Sequence, residues 1–263
     1  METIHLIILG LIQGLTEFLP VSSSAHLILF PALMGWQDQG IVYDVAVHTG
    51  SLGAVLLYFR SDIALILQGF AANFSGAEEK DWTLLHIAVA TVPVGLAGLL
   101  LHDIISSSLR SPMIIAMASI FFGLVLYWAD KSGAGTRGQG DIGMRDAIII
   151  GCAQALALIP GTSRSGITIT AGLVLGLDPA SASRFSFLMA VPVIILATGL
   201  ELYKLSSATV EVEIVPLVSV IVVSFASAWL AIHYFLKLLQ RTGMLPYVIY
   251  RVLLGLLLIG IFW

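Results

Sequence analysis

The stretch 214–238 reads IVPLVSVIVVSFASAWLAIHYFLKL and carries a single charge, Lys237, close to its end. As a helix rising about 1.5 Å per residue, it is long enough to cross the ~30 Å hydrocarbon core of a bilayer. Comparable stretches recur at roughly 41–59, 83–101, 112–129, 185–204 and 246–263. Strands cannot account for them, because an open sheet edge leaves backbone N–H and C=O groups without partners in lipid. The expected class is an all-α polytopic membrane protein with about six transmembrane helices.

Composition agrees. The chain is 58% hydrophobic and 11% charged, with a mean hydropathy of +1.00, whereas soluble chains are nearer a quarter charged. The net charge of −4 and the lack of a basic run exclude nucleic acid as a partner. The single cysteine, Cys152, excludes an internal disulfide framework and a thiolate metal cage. Its apolar neighbours predict a buried packing role. The opening METIHLIILG has no Lys or Arg before the apolar stretch. That argues against a cleaved signal peptide, and the first segment is expected to be part of the fold.

Two further segments, 3–30 and 146–176, are apolar at both ends and polar in the middle. The first is interrupted by EFLPVSSSAH, the second by PGTSRSGIT. Irregular backbone at membrane depth survives only where protein or a watery cavity covers it. Broken helices at matching positions of two halves point to a binding site. The segments also echo each other. Gly10-Leu11-Ile12-Gln13 matches Gly151-Cys152-Ala153-Gln154, and Pro20-Val21-Ser22-Ser23 parallels Pro160-Gly161-Thr162-Ser163.

These observations predict a single membrane domain of two halves, 1–130 and 146–263, joined by the Gly-rich, charged loop 131–145. With each broken segment as a re-entrant hairpin, each half has three full spans and the second half is inverted. One side then carries Arg60, Lys80, Lys131, Arg137, Arg145, Arg184, Lys237 and Arg241, and the other Arg110 and Lys204. The positive-inside rule puts the first side in the cytoplasm and both chain ends outside. The hairpins enter from opposite faces and meet near mid-membrane.

Residues able to do chemistry sit in the breaks. Gln13 and Glu17 are four apart and share a helix face. An ionised Glu at membrane depth needs a cation, a proton or water. Its open roles are metal ligand, general base or hydrogen-bonded structural residue. Ser22, Ser23 and Ser24 can cap a half-helix. With His26 beside them they also offer a nucleophile and its base. In the second break Gly161 and Gly166 free the backbone to turn its N–H groups inward. Thr162, Ser163, Ser165 and Thr168 add hydroxyls, and a helix starting near Ser165 aims its positive end at an anion. Arg164 forks onto phosphate oxygens or pairs with a buried acid such as Glu17. Asp44, His48 and Thr49 are placed to line a cavity. Glu201 and Lys204 are expected to snorkel outward, and topology alone accounts for Arg184 and Arg251. Together the breaks offer a carboxylate, hydroxyls and an imidazole facing an arginine and an anion cradle. That set suits the phosphate of a lipid.

QGLTEFLPVSSSAH and PGTSRSGIT resemble the two signature motifs of the undecaprenyl-diphosphate phosphatase family of the bacitracin-resistance type. FSFLMAVP at 185–192 and LPYVIYR at 245–251 resemble that family too, and the likeness runs over essentially the whole chain. It implies a multi-pass enzyme of the bacterial inner membrane with its site open to the periplasm. The enzyme would hydrolyse undecaprenyl diphosphate to undecaprenyl phosphate and inorganic phosphate, recycling the peptidoglycan lipid carrier and conferring bacitracin resistance. By position, Gln13 and Glu17 fill an (E/Q)xxxE motif, Ser23 and His26 a PxSSxxH stretch, and Ser163, Arg164 and Thr168 a PGxSRSxxT motif. The resemblance also implies a divalent cation, Mg²⁺ or Ca²⁺, at Gln13 and Glu17. Gln13 stands where many members have Glu, and Ala25 replaces a common Gly.

On this reading Glu17, Ser23, His26 and Arg164 are the catalytic candidates. Ser22, Ser24, Gly161, Thr162, Ser163, Ser165, Gly166 and Thr168 are candidates for binding the substrate. Ser23 attacks phosphorus or orients the water that does, with His26 as its base. The alternative is a carrier or flippase for an anionic polyprenyl phosphate, which would use the same cavity but release no phosphate. A phosphatidate-phosphatase type would need a further His soon after the SR motif, and the next is His233. Homodimer formation is left open by the sequence.

Overall fold

The computed structural model describes residues 2–36, 39–75, 80–132, 135–205 and 213–263, and of 102–108 the backbone alone. Among these residues the regular structure is helical, apart from an isolated bridge between Arg137 and Leu177. Six helices are long and apolar enough to cross a membrane. They are α3 (Gly40–Tyr58), α5 (Thr83–Ser108), α6 (Pro112–Ser132), α9 (Pro179–Leu205), α10 (Ile214–Thr242) and α11 (Leu245–Phe262). The chain is a multi-pass membrane protein, as its apolar periodicity predicts.

The two interrupted segments form pairs of short helices. The first gives α1 (Thr3–Glu17) and α2 (Ser23–Met34), the second α7 (Met144–Ala155) and α8 (Arg164–Val174), with a 3₁₀ turn at Leu156–Leu158. The longest of the four has 15 residues, fewer than the ~20 a span needs. Each break ends in a serine with positive φ, Ser22 at 72° and Ser163 at 70°. These are the only non-glycine residues of that kind among the described ones, and each immediately precedes its second helix.

The backbone therefore corrects the alignment of the breaks. Ser22 matches Ser163, not Thr162, and the first helical residues Ser23 and Arg164 correspond. This is the same offset that relates Gly10 to Gly151 and Gln13 to Gln154. Ser22 Oγ lies 3.3 Å from Ser24 Oγ, and Ser163 Oγ lies 3.3 Å from Ser165 Oγ. Matching the prolines, Pro20 and Pro160, shifts everything after them by one residue.

Packing crosses between the halves. Helix α1 lies against α10 and α7 against α5, while α6 pairs with α11. Small residues permit the close approach, as is usual between membrane helices. A Cβ on Gly151 would stand 2.5 Å from the Ala90 carbonyl oxygen, so only glycine fits there. Where α3 meets α10, Ser224 Oγ donates to the Val47 carbonyl at 2.6 Å and sits 3.0 Å from Ser51 Oγ. These hydroxyls find partners inside the protein instead of facing lipid.

Other expectations need correction. After α3, Arg60–Ala72 forms a further helix, α4, with Ile66 buried. The loop joining the halves is fastened. The Arg137 N–H donates to Gly176 O, and the Asp178 N–H donates to Arg137 O. The Arg137 guanidinium reaches the Leu175 and Asp141 carbonyls and the Asp146 carboxylate. Cys152 is exposed rather than buried.

Candidate active site

The end of α1 and the starts of α2 and α8 meet at Glu17. Gln13, one turn earlier on the same face, donates from Nε2 to Glu17 Oε2 at 2.9 Å. Ser23, first residue of α2, donates from Oγ to the same oxygen at 2.6 Å. Arg164, first residue of α8, donates from NH2 to Glu17 Oε1 at 3.0 Å. One buried carboxylate thus joins both breaks. The ion pair foreseen as an alternative role for Arg164 is present in this arrangement.

Arg164 is oriented from behind. Its NH1 donates to the Ser186 carbonyl at 3.0 Å, and its guanidinium carbon lies 5.8 Å from the Phe18 ring centre. Thr168 Oγ1 sits 2.7 Å from Ser186 Oγ and donates to Arg164 O at 2.8 Å. Ser165 Oγ donates to Leu19 O at 2.9 Å, crossing to the first break. Ser163 caps α8 by accepting from Gly166 N at 3.1 Å. The hydroxyls of Ser163, Ser165 and Thr168 accordingly bond to protein here and build the platform under Arg164. Gly161, Thr162 and Gly166 are buried with them, and Thr162 Oγ1 has no hydrogen-bond partner.

His26 faces another way. Its Nδ1 is 2.7 Å from the Ser22 carbonyl, which can only accept, so Nδ1 carries the proton. Its Nε2 is 2.5 Å from Tyr250 Oη, and the two rings are stacked. The hydroxyl of Ser23 is thus bonded to Glu17, and His26 is engaged with Ser22 and Tyr250. Ser22 is buried and Ser24 exposed.

A cavity of about 530 Å³ opens beside the first break. Leu27, Ile28 and Pro31 of α2 form its apolar wall. Ser24, Asp44, His48 and Arg110 supply polar groups, and Glu201 lies at its rim. Asp44 and His48 are thus lining residues as expected. Thr49 is not among them, and its hydroxyl bonds back to Val45 O. Glu201 pairs with Lys204 at 3.0 Å. Arg184 pairs with Asp62 at 2.7 Å, away from the site.

Two residues at the site have no reading in the sequence, Ser186 and Tyr250, and a third, Arg251, is not accounted for by topology as expected. All lie in the FSFLMAVP and LPYVIYR stretches that carry the family likeness. Arg251 is the largest correction. It is 0% exposed, and its guanidinium donates to the carbonyls of Ser119, Pro20 and Gly161. Its place near the start of the last helix does not explain it, because α6 and both breaks close over it.

Gln13 and Glu17 bring an amide and a carboxylate together, oxygen donors of the kind a hard cation takes. Gln13 Oε1 is buried without a hydrogen-bond partner, next to the Glu17 carboxylate. Mg²⁺ and Ca²⁺ take carboxylate and amide oxygens. Among the described residues no three of His, Cys, Asp or Glu come together, so substrate phosphate and water would have to complete such a shell.

The family model for bacitracin resistance protein BacA matches residues 6–257. Undecaprenyl-diphosphatase 2 of Stutzerimonas stutzeri is 51% identical over a 267-residue alignment covering 100% of this chain and 99% of that protein. The undecaprenyl-diphosphatases of Nitrosococcus oceani and Teredinibacter turnerae are 50% and 49% identical, over 100% and 98% of both partners.

Proposed function

The chain belongs to the bacitracin resistance protein BacA family, and on that premise we propose that it is a membrane phosphatase acting on undecaprenyl diphosphate. It releases inorganic phosphate and leaves undecaprenyl phosphate, the reaction in the names of its relatives. In a bacterium this recycles the lipid carrier of peptidoglycan precursors and confers bacitracin resistance. The observation that carries the reading is the convergence at Glu17 of a hydroxyl and an arginine from two separate breaks.

The residues divide the work as follows. Arg164, with the N-terminal turns of α2 and α8, holds the diphosphate. Phosphate oxygens compete with Glu17 for the guanidinium and release the carboxylate toward Ser23. Ser23 Oγ attacks the terminal phosphorus and passes its proton to Glu17. The bridging P–O bond breaks, and undecaprenyl phosphate leaves with the electron pair. Water then cleaves the phosphoserine and releases inorganic phosphate. Gln13 orients Glu17. His26 has its Nδ1–H committed to Ser22, so only Nε2 can exchange a proton. Gln13 and Glu17 would hold a divalent cation, which supplies Lewis-acid neutralisation of phosphate charge when bound.

We read α1–α2 and α7–α8 as re-entrant hairpins of an inverted repeat. Their short lengths, matched turns and cross-packing support this. The cavity wall near Arg110 and Glu201 belongs to the side poor in Lys and Arg, which supports a periplasmic opening in the inner membrane. The test is phosphate release from a C55 or C15 isoprenyl diphosphate by purified protein, with and without EDTA, beside Glu17→Ala, Ser23→Ala and Arg164→Ala. Release that EDTA and the substitutions abolish is expected. No release from folded wild-type protein across several cations and chain lengths would overturn the reading.

A further inference from the structure

Arg251 is a cation sealed inside a membrane protein, and among the described residues its partners are backbone carbonyls only. A charge at membrane depth is unfavourable unless polar groups replace its water. Here the carbonyl of Ser119 fixes Nε at 3.2 Å. The two terminal nitrogens separate: NH2 donates to Gly161 O at 2.9 Å, and NH1 reaches Pro20 O at a longer 3.5 Å. Those two carbonyls are counterparts, each two residues before the positive-φ serine of its break. Each follows the C-terminal end of a first-arm helix, where the helix dipole favours positive charge. Room for the guanidinium is built in. A Cβ on Gly166 would stand 2.8 Å from NH1, and one on Gly123 would stand 3.3 Å from the Cβ of Arg251.

We propose that Arg251 is a positioning residue whose forked guanidinium ties the Pro20 and Gly161 turns together, setting the register in which Arg164 meets Glu17. The fork is essential to this role, because a lysine ammonium lacks the fixed planar spread that reaches two carbonyls at once. Arg251 touches neither Glu17 nor Ser23 in the contacts described, so it acts through the backbone of both breaks. For its catalytic consequence the proposal rests on the phosphatase reading above. For its structural content it does not.

The test uses full-length protein in detergent, with Cys152→Ala as background and spin labels on cysteines replacing Leu11 and Leu156. Both positions are exposed and lie on or just after the first arms of the two breaks. The unsubstituted pair should give one narrow distance distribution. Arg251→Lys, checked for folding by size exclusion and thermal unfolding, should broaden it. In unlabelled protein the same variant should lower kcat by at least about tenfold with KM changed little, as misplacement of reacting groups does. A folded Arg251→Lys protein with the original distance and kcat would overturn the proposal. So would a loss confined to KM, which would make Arg251 a substrate contact. If Arg251→Lys does not fold, Gly166→Ala displaces NH1 with the arginine intact. It should broaden the distribution likewise, and an unchanged distribution there would also overturn the idea. Broadening without phosphate release from the wild type would instead fault the phosphatase reading alone.

Discussion

The two breaks have nearly the same backbone and opposite contents. Residues 18–22 lead from Glu17 to Ser23, with Ser24 exposed to the cavity and His26 a turn beyond. Residues 159–163 lead to Arg164 through Gly161, Thr162 and Ser163, all buried. The serines that end them share a positive φ, but only Ser163 receives a hydrogen bond at its side chain from the helix it starts. The first break sends Ser24 to the cavity and keeps Ser23 bonded to the buried Glu17. The second is closed around its own hydroxyls and turns a single charged group, Arg164, toward that same carboxylate. Two breaks with similar turns thus divide the site between them, the first holding the carboxylate and the second the arginine that pairs with it.

The sharpest way to break that division is at Arg164. If the second break contributes a forked clamp and not merely positive charge, Arg164→Lys should lower kcat/KM by about a hundredfold or more. Phosphate-release kinetics with a C15 diphosphate measure this, and near wild-type activity would show that any cation suffices.

A smaller effect separates the equivalent glutamines. Gln13 bonds Glu17, whereas Gln154 donates to Ala90 O on α5 at 3.3 Å. Gln13→Met should therefore reduce turnover about tenfold or more through a loosened Glu17. Gln154→Met should leave turnover within about twofold and shift stability by about 1 kcal/mol. Equal kinetic losses would mean that the halves are not specialised in this way.

The smallest effect is conformational. A left-handed serine is disfavoured by about 1–2 kcal/mol relative to glycine. Ser22→Gly should raise the thermal midpoint measurably. Ser163→Gly should raise it less, because the N-cap bond to Gly166 is lost. Thermal unfolding in one detergent compares them, and a larger gain at Ser163 would remove the asymmetry.

Much of this was legible in the sequence. The apolar runs gave six spans because lipid demands helices of a fixed length. The prolines and hydroxyls marked both breaks, and a buried acid and a buried arginine point to each other on electrostatic grounds alone. What stayed hidden depends on neighbours distant in the chain. Arg251 looks like an interfacial anchor until α6 and both breaks close over it. Tyr250 looks like a membrane aromatic until His26 arrives from the other end of the sequence. Cys152 reads as buried because its neighbours are apolar, yet in lipid an apolar stretch also marks the outer surface. The prolines suggest a register between the breaks that is one residue off, because φ at the serines decides it.

The crossed packing of the halves has a consequence for how such a chain is made. The partner of α1 is α10, which ends at Thr242. A ribosome adding about 5–20 residues per second needs on the order of ten seconds or more to bridge that interval. Throughout it, Glu17 and the first break are in the bilayer without the helix that will cover them. Insertion of this chain must therefore hold an unfinished polar segment sheltered until α10 has been made, and neither half is expected to mature if produced alone.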